Sequence, residues 1–151
     1  MKTPAQGPAR LLRCVIPSRL EAVDAVCLEL HAFMTANGLA ADSFAVELIA
    51  REGLNNAIIH GNQNQADKKA SLCLRLGKRW LRVQIADEGV GFNWRQACRT
   101  AADPAASSGR GLAIGKLYAD RIGFNQRGNQ ITLWLENSGK AKRHLHGNAH
   151  D

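Results

Sequence analysis

The stretch FAVELIAREGLNNAIIHGNQNQ, residues 44–65, reads as a long helix that runs out into polar loop residues. At about 100° per residue, Glu52 and Asn56 share a face, and His60 follows one turn later. Leu48 and Ile59 point close to the same direction, while Leu54 and Ile58 cover the opposite side. A helix apolar all round is expected to be buried, so its carboxylate and amide need partners. Two chemistries satisfy the pair. In one, Asn56 offers an oxygen to Mg²⁺, a hard cation that favours octahedral oxygen ligands, and Glu52 orients or deprotonates a hydroxyl. In the other, the two form a structural network, since polar pairs at i,i+4 are common on helices. Spacing alone leaves both open.

Around this helix the chain falls into short elements. LLRCVI (11–16) alternates like a strand, and Pro17-Ser18 breaks it before RLEAVDAVCLELHAFMTANG. Ser18 with Glu21 three residues on has the form of a capping box, and Asn37-Gly38 has the form of a helix stop. Asp42 or Ser43 is expected to start the second helix. SLCLRL (71–76) and LRVQIA (81–86) each place three aliphatic side chains on one face, and Gly77-Lys78 between them predicts a hairpin. Residues 93–110 read as a mobile loop, GLAIGKLYAD (111–120) as a short helix, and RIGFNQ with QITLWLE as a closing hairpin around Gly128-Asn129. The order β-α-α-β-β-loop-α-β-β does not alternate strictly. It predicts a two-layer α/β sandwich, with helices on one face of a mixed, mostly antiparallel sheet.

A chain of 151 residues, 45% hydrophobic and 22% charged, fits one globular domain. We read residues 1–10 as a flexible start, 11–136 as the domain and 137–151 as a flexible basic tail. The net charge of +7 gathers at the ends: residues 1–13 carry Lys2, Arg10 and Arg13 with no acid, and residues 14–136 carry 14 basic against 12 acidic side chains. That distribution argues against a nucleic-acid module, which needs a continuous basic patch or stacking aromatics beside a sheet. The four cysteines are dispersed without a CxxC pair, as expected of buried thiols in a reducing compartment. No leader and no 18-residue apolar run is present, so the expectation is a cytoplasmic protein without a membrane partner.

Two glycine-bearing segments complete the candidate chemistry. DEGVGF (87–92) directly follows a strand: Gly89 and Gly91 allow close approach, and Asp87 can accept a hydrogen from an amine such as the exocyclic amine of a purine. Alone it also reads as a capped turn. SSGRGLAIG (107–115) could bring backbone amides of Gly109 and Gly111 to phosphate oxygens where a helix starts, with Arg110 adding a charge-assisted contact. It also reads as a flexible loop with a helix cap. It is not a P-loop, having no GxxxxGK[ST].

The three segments, in this order, resemble the boxes of the GHKL ATPase superfamily, over roughly residues 11–136. Within that superfamily they are most similar to the small RsbW/SpoIIAB-like anti-sigma factor kinases. The N box matches residues 52–61, the next glycine box residues 87–91, and the last one Gly109-Arg110-Gly111-Leu112. The resemblance implies Glu52 as catalytic base, Asn56 as magnesium ligand and Asp87 as adenine anchor. Gly89 and Gly91 would shape the adenine side, and Gly109, Arg110, Gly111 and Leu112 would belong to the phosphate lid. His60 and Asn62 would border the nucleotide, although His60 also reads as a helix-terminal cap. Asn55 stands where the small kinases often have threonine, and it replaces neither the expected base nor the metal ligand. The implied activity is transfer of the ATP γ-phosphate, with Mg²⁺, to a serine or threonine of a STAS-domain anti-anti-sigma protein. The same protein, commonly a homodimer, would sequester a sigma factor. A chain this short has room for an ATP domain and none for a phosphoacceptor domain, so it is expected to act on another protein. The alternative within the same fold is an ATP- or ADP-binding regulator without transfer activity or with another client.

Overall fold

Alternation in LLRCVIP makes strand β1 (Leu11–Pro17) buried on one face: Cys14 and Ile16 are buried, and Arg13, Val15 and Pro17 are exposed. The computed structural model describes residues 10–91 and 115–137. After β1 come helices α1 (Glu21–Ala36) and α2 (Ala40–Asn56), a π turn (Ala57–Gly61), and strands β2 (Lys69–Leu76), β3 (Trp80–Ala86), β4 (Arg121–Phe124) and β5 (Gln130–Glu136). The sheet order is β1-β2-β3-β5-β4, and every pairing is antiparallel. The expected mixed sheet is therefore wholly antiparallel among the described residues.

Period-two alternation gives the sheet two unlike faces. Ala70, Leu72, Leu74 and Leu76 of β2, Leu81, Val83 and Ile85 of β3, and Leu133 and Leu135 of β5 are buried on one side. Val23, Val26, Leu30 and Met34 of α1 and Val46, Ile49, Ala50 and Leu54 of α2 join them in one core. Each Val, Leu, Ile or Met among them contributes about 1.5–3 kcal/mol relative to exposure. Both helices pack on this side, α1 against β1 and α2 against β2 and β3. The two-layer sandwich is as expected.

Local chemistry differs from expectation at several joints. Ser18 does not cap α1: its hydroxyl donates to the Lys68 carbonyl at 2.7 Å, and the helix starts behind Leu20 without a side-chain cap. The second helix begins earlier than Asp42, behind Leu39, and the Ser43 hydroxyl instead donates to the Ala40 carbonyl at 2.9 Å. Gly38, at φ +74°, does end α1 as read. Gly128, at φ +80°, turns the β4–β5 hairpin, where the Asn125 side-chain oxygen accepts from the backbone N–H groups of Gly128, Asn129 and Gln130. Residues 115–118 are helical, and the expected 111–120 helix stops short at Ala119 and Asp120, which are not; its first residues, 111–114, like the expected 93–110 loop, lie outside the described residues. Cys14 and Cys27 are buried as expected, whereas Cys73 is only half-buried, because its odd position in β2 turns it to the helix-free face. Burial, reinforced by Glu29, pushes the Cys14 thiol up to about 11. No described helix is long and apolar enough to cross a membrane.

Candidate functional site

The opening stretch is positioned by a glycine. Gly53 lies so close to β3 that a Cβ there would collide with the Ile85 side chain. The missing side chain lets α2 approach β3 closely at this point. Glu52 and Asn56 then fall on the flank beside that contact, half-buried, with Cβ atoms about 5–6 Å apart as i,i+4 neighbours. Among the described residues neither side chain has a hydrogen-bond partner. The structural-network reading of this pair requires such bonds and lacks them, whereas an uncommitted carboxylate and amide oxygen suit a bound cation and a hydroxyl. The residues present thus fit a magnesium-bound phosphate group.

Beyond Asn56 the helix widens. Residues 57–61 form a π turn, a rare i→i+5 geometry often found at functional sites. Periodicity predicted ordinary helix here. The wider turn leaves His60 exposed and brings Gly61 against the loop that follows β3. There the two backbones interlock: a Cβ on Gly61 would collide with the Asp87 carboxylate, and a Cβ on Gly89 would collide with the Gly61 carbonyl. Gly91, at φ +85°, is held against the Arg127 carbonyl in the β4–β5 turn. The end of the N-box helix and the first glycine box are therefore one packed unit.

Asp87 is fixed from both sides. Its backbone N–H donates to the Asn129 carbonyl at 3.0 Å, and its own carbonyl accepts from the Asn129 amide at 3.3 Å. Oδ1 accepts the Gly89 N–H at 2.8 Å, and Oδ2 has no protein donor among the described residues. Burial pushes the carboxyl above its ordinary value, opposed by the Gly89 N–H and by Lys68. A half-buried carboxylate with one open oxygen is an acceptor for an amine that can exclude water around it.

Asn62, expected to border the nucleotide, is instead fully buried and committed to protein. Its Nδ2 donates to Ser18 Oγ at 2.9 Å and to the Lys69 carbonyl at 3.0 Å, and its Oδ1 accepts the Glu88 N–H at 2.8 Å. One amide thus ties the β1–α1 junction, the end of the π turn, the start of β2 and the Asp87 loop. The Glu88 side chain adds to this hub by accepting the Lys69 N–H. Sequence reading missed the hub and the Asn125–Asn129 clamp, because their partners are distant in sequence or turn-specific. Gly109, Arg110, Gly111 and Leu112 lie outside the described residues.

Comparison with known proteins bears on the fold and the family. No curated protein matches the chain. Among solved structures, the histidine kinase domain of the Erythrobacter litoralis EL346 blue-light-activated histidine kinase is similar at a TM-score of 0.50 and 14% identity. The match covers 88% of this chain and 65% of that one, so the chain spans less than two thirds of the length of that chain, and the likeness is one of fold. The family model described as the histidine kinase-like ATPase domain matches residues 16–135. The span contains the Glu52–Asn56 helix, the interlocked Gly61–Asp87–Gly89 unit and the two hairpins that hold it, and by that match the chain belongs to the histidine kinase-like ATPase family.

Proposed function

We propose that the protein is an ATP-dependent serine/threonine kinase of the anti-sigma type, acting on a STAS-domain anti-anti-sigma protein and sequestering a sigma factor. A homodimer working in the cytoplasm is part of this reading. One observation supports it above the others. Among the described residues Asp87 keeps one carboxylate oxygen uncommitted, and it is packed against the end of the very helix whose Glu52 and Asn56 have no partner there.

In this reading Asp87 accepts a hydrogen bond from the exocyclic amine of adenine, and the Gly61–Gly89 contact holds the Asp87 loop in place. Asn56 offers its side-chain oxygen to the metal. Magnesium, when bound with ATP, supplies charge neutralisation at the phosphate oxygens. Glu52 orients the partner's hydroxyl and takes its proton as the new O–P bond forms to the γ-phosphorus, while the bond to the β-phosphate oxygen breaks and ADP leaves. Positioning and electrostatics carry most of such a transfer. Gly109, Arg110, Gly111 and Leu112 serve as the phosphate lid.

The test is copurification of partners from native extract, followed by incubation with ATP carrying a radiolabelled γ-phosphate and mapping of the labelled residue. Label on a serine or threonine of a STAS-domain partner is the expected result. Adenine-nucleotide binding without transfer to any copurified partner would replace the kinase by a nucleotide-binding regulator of the same fold.

A further inference from the structure

The helix-free face of the sheet carries a second feature, independent of the nucleotide site. Register aligns one residue from each strand into a transverse row: Leu11, Arg75, Arg82, Trp134 and Arg121. The neighbouring row runs Arg13, Cys73, Gln84, Thr132 and Gly123. With Lys69 this face holds five cationic side chains, Arg13, Lys69, Arg75, Arg82 and Arg121, against one strand carboxylate, Glu136 at its end. Exposed apolar groups are interspersed, with Val15 63% and Trp80 36% exposed.

Three details show that this row lacks its counter-charge. Arg75 and Arg82 are direct cross-strand partners, an arrangement that is unfavourable for like charges. Among the described residues, Arg82 Nε is shut off from water and has no hydrogen-bond partner, which costs stability unless an acceptor arrives. The chain's remaining segments are poor in counter-charge: residues 1–9 contain no acid, residues 92–114 contain only Asp103, and residues 138–151 only Asp151, each amid more numerous basic residues. A second copy presenting the same face would repel it.

We infer that the helix-free sheet face is a docking surface for an acidic segment of a partner protein, read by the Arg75–Arg82–Trp134–Arg121 row. Arginine and tryptophan are the side chains enriched at protein-interface anchors. A five-stranded face is roughly 20 Å across at about 4.8 Å per strand, wide enough for one extended segment or helix laid across it. A protein is favoured over nucleic acid because both tryptophans already have an arginine on the ring, Arg121 over Trp134 at 5.1 Å and Arg79 over Trp80 at 5.4 Å. Trp134 also packs on Gly123, where a Cβ would come within 3.3 Å of the ring. Neither ring is an open platform for a base.

The test is fluorescence anisotropy on the full chain with three labelled probes: a short peptide of Glu, Asp and Leu, the same peptide with Lys for each acid, and a short single-stranded oligothymidine. The acidic peptide is expected to bind and the basic one not. Arg75→Glu should weaken acidic-peptide binding by about tenfold or more. Arg19→Glu, the same charge change at the β1–α1 junction, should leave it within about twofold. Arg82→Leu is a second variant that removes the unpartnered Nε, so it keeps the fold and should lose binding similarly. Equal losses in Arg75→Glu and Arg19→Glu, or no peptide binding, would overturn the inference. Tighter binding of oligothymidine than of the peptide, with the same sensitivity to Arg75→Glu, would reassign the face to nucleic acid.

Discussion

Replacing Asn62 by alanine tests whether one buried amide holds the base end of the site in place. The substitution removes the bonds to Ser18 Oγ, the Lys69 carbonyl and the Glu88 N–H, at 2.9, 3.0 and 2.8 Å. At about 1 kcal/mol net for each, the loss is about 3 kcal/mol. Ser18 retains its bond to the Lys68 carbonyl, which keeps the figure from rising much further. With a urea dependence of about 1.5 kcal/mol/M, the unfolding midpoint should fall by about 2 M. The Glu88 N–H loses its acceptor, so the neighbouring Asp87 should lose its register, and adenine-nucleotide affinity should fall under conditions where the variant is still folded. Asn62→Asp sharpens the test. It keeps an oxygen for Glu88 but turns an ionisable acceptor toward the Lys69 carbonyl, so its folded-state pKa should be raised. The stability of that variant is then greatest at low pH and declines as pH rises through that pKa. Equilibrium urea unfolding followed by circular dichroism reads both variants. A midpoint shift below about 0.5 M for Asn62→Ala would mean that water replaces the amide, and the hub argument would be wrong.

Other expectations follow the same geometry. Glu52→Gln should abolish phosphate transfer while ATP binding by calorimetry changes little; transfer at the wild-type rate would remove Glu52 as the base. Asp87→Asn should lose nucleotide affinity and be at least as stable as wild type near neutral pH. Its sign follows from a raised carboxyl: the contribution is fully present below about pH 3.9 and lost as pH rises through the folded-state value, so the variant's advantage should vanish in acid. An advantage that grew as pH fell would contradict burial as the cause. Gly89→Ala, which forces a methyl onto the Gly61 carbonyl, should cost about 1–3 kcal/mol and nucleotide binding together. Gly53→Ala meets only the tip of Ile85 and gains about 1 kcal/mol of helix propensity, so thermal melts should rank it well above Gly89→Ala. A thiol reagent at neutral pH should label Cys73 before Cys14, read by mass spectrometry; the reverse order would deny the burial that raises Cys14.

Much of this fold is legible in side-chain order, because each element has a single apolar period. Leu72, Leu74 and Leu76 announce a strand with one buried side, and Asn37-Gly38 announces a helix end. What resisted reading depends on partners far along the chain. Ser18 has the form of an N-cap, yet it bonds to Lys68, fifty residues away, and so nothing local distinguishes the two fates. Asn62 looks like loop decoration until β2 and the Asp87 loop close around it. The π turn has no period of its own in five residues. The charge reading missed a surface for a related reason. Residues 14–136 are nearly neutral by count, but antiparallel register sorts most of the strand cations onto one side of the sheet. For the candidate site, residue types and order suggest Glu52, Asn56 and Asp87, and contact between Gly61 and Asp87 joins them into one body.

The π turn works as a shim between two recognition tasks. Upstream of it, α2 carries Glu52 and Asn56, which the proposed function assigns to a hydroxyl and a metal; downstream, Gly61 packs on the Asp87 loop, which the same proposal assigns to a base. Deleting one residue from 57–61 would restore ordinary helical pitch and leave Glu52 and Asn56 where they are. Gly61 would swing off Asp87 by about 100°, one residue's rotation. On the proposed function, spacer length in this turn, more than the identity of its side chains, would keep the two ends of a bound nucleotide in phase.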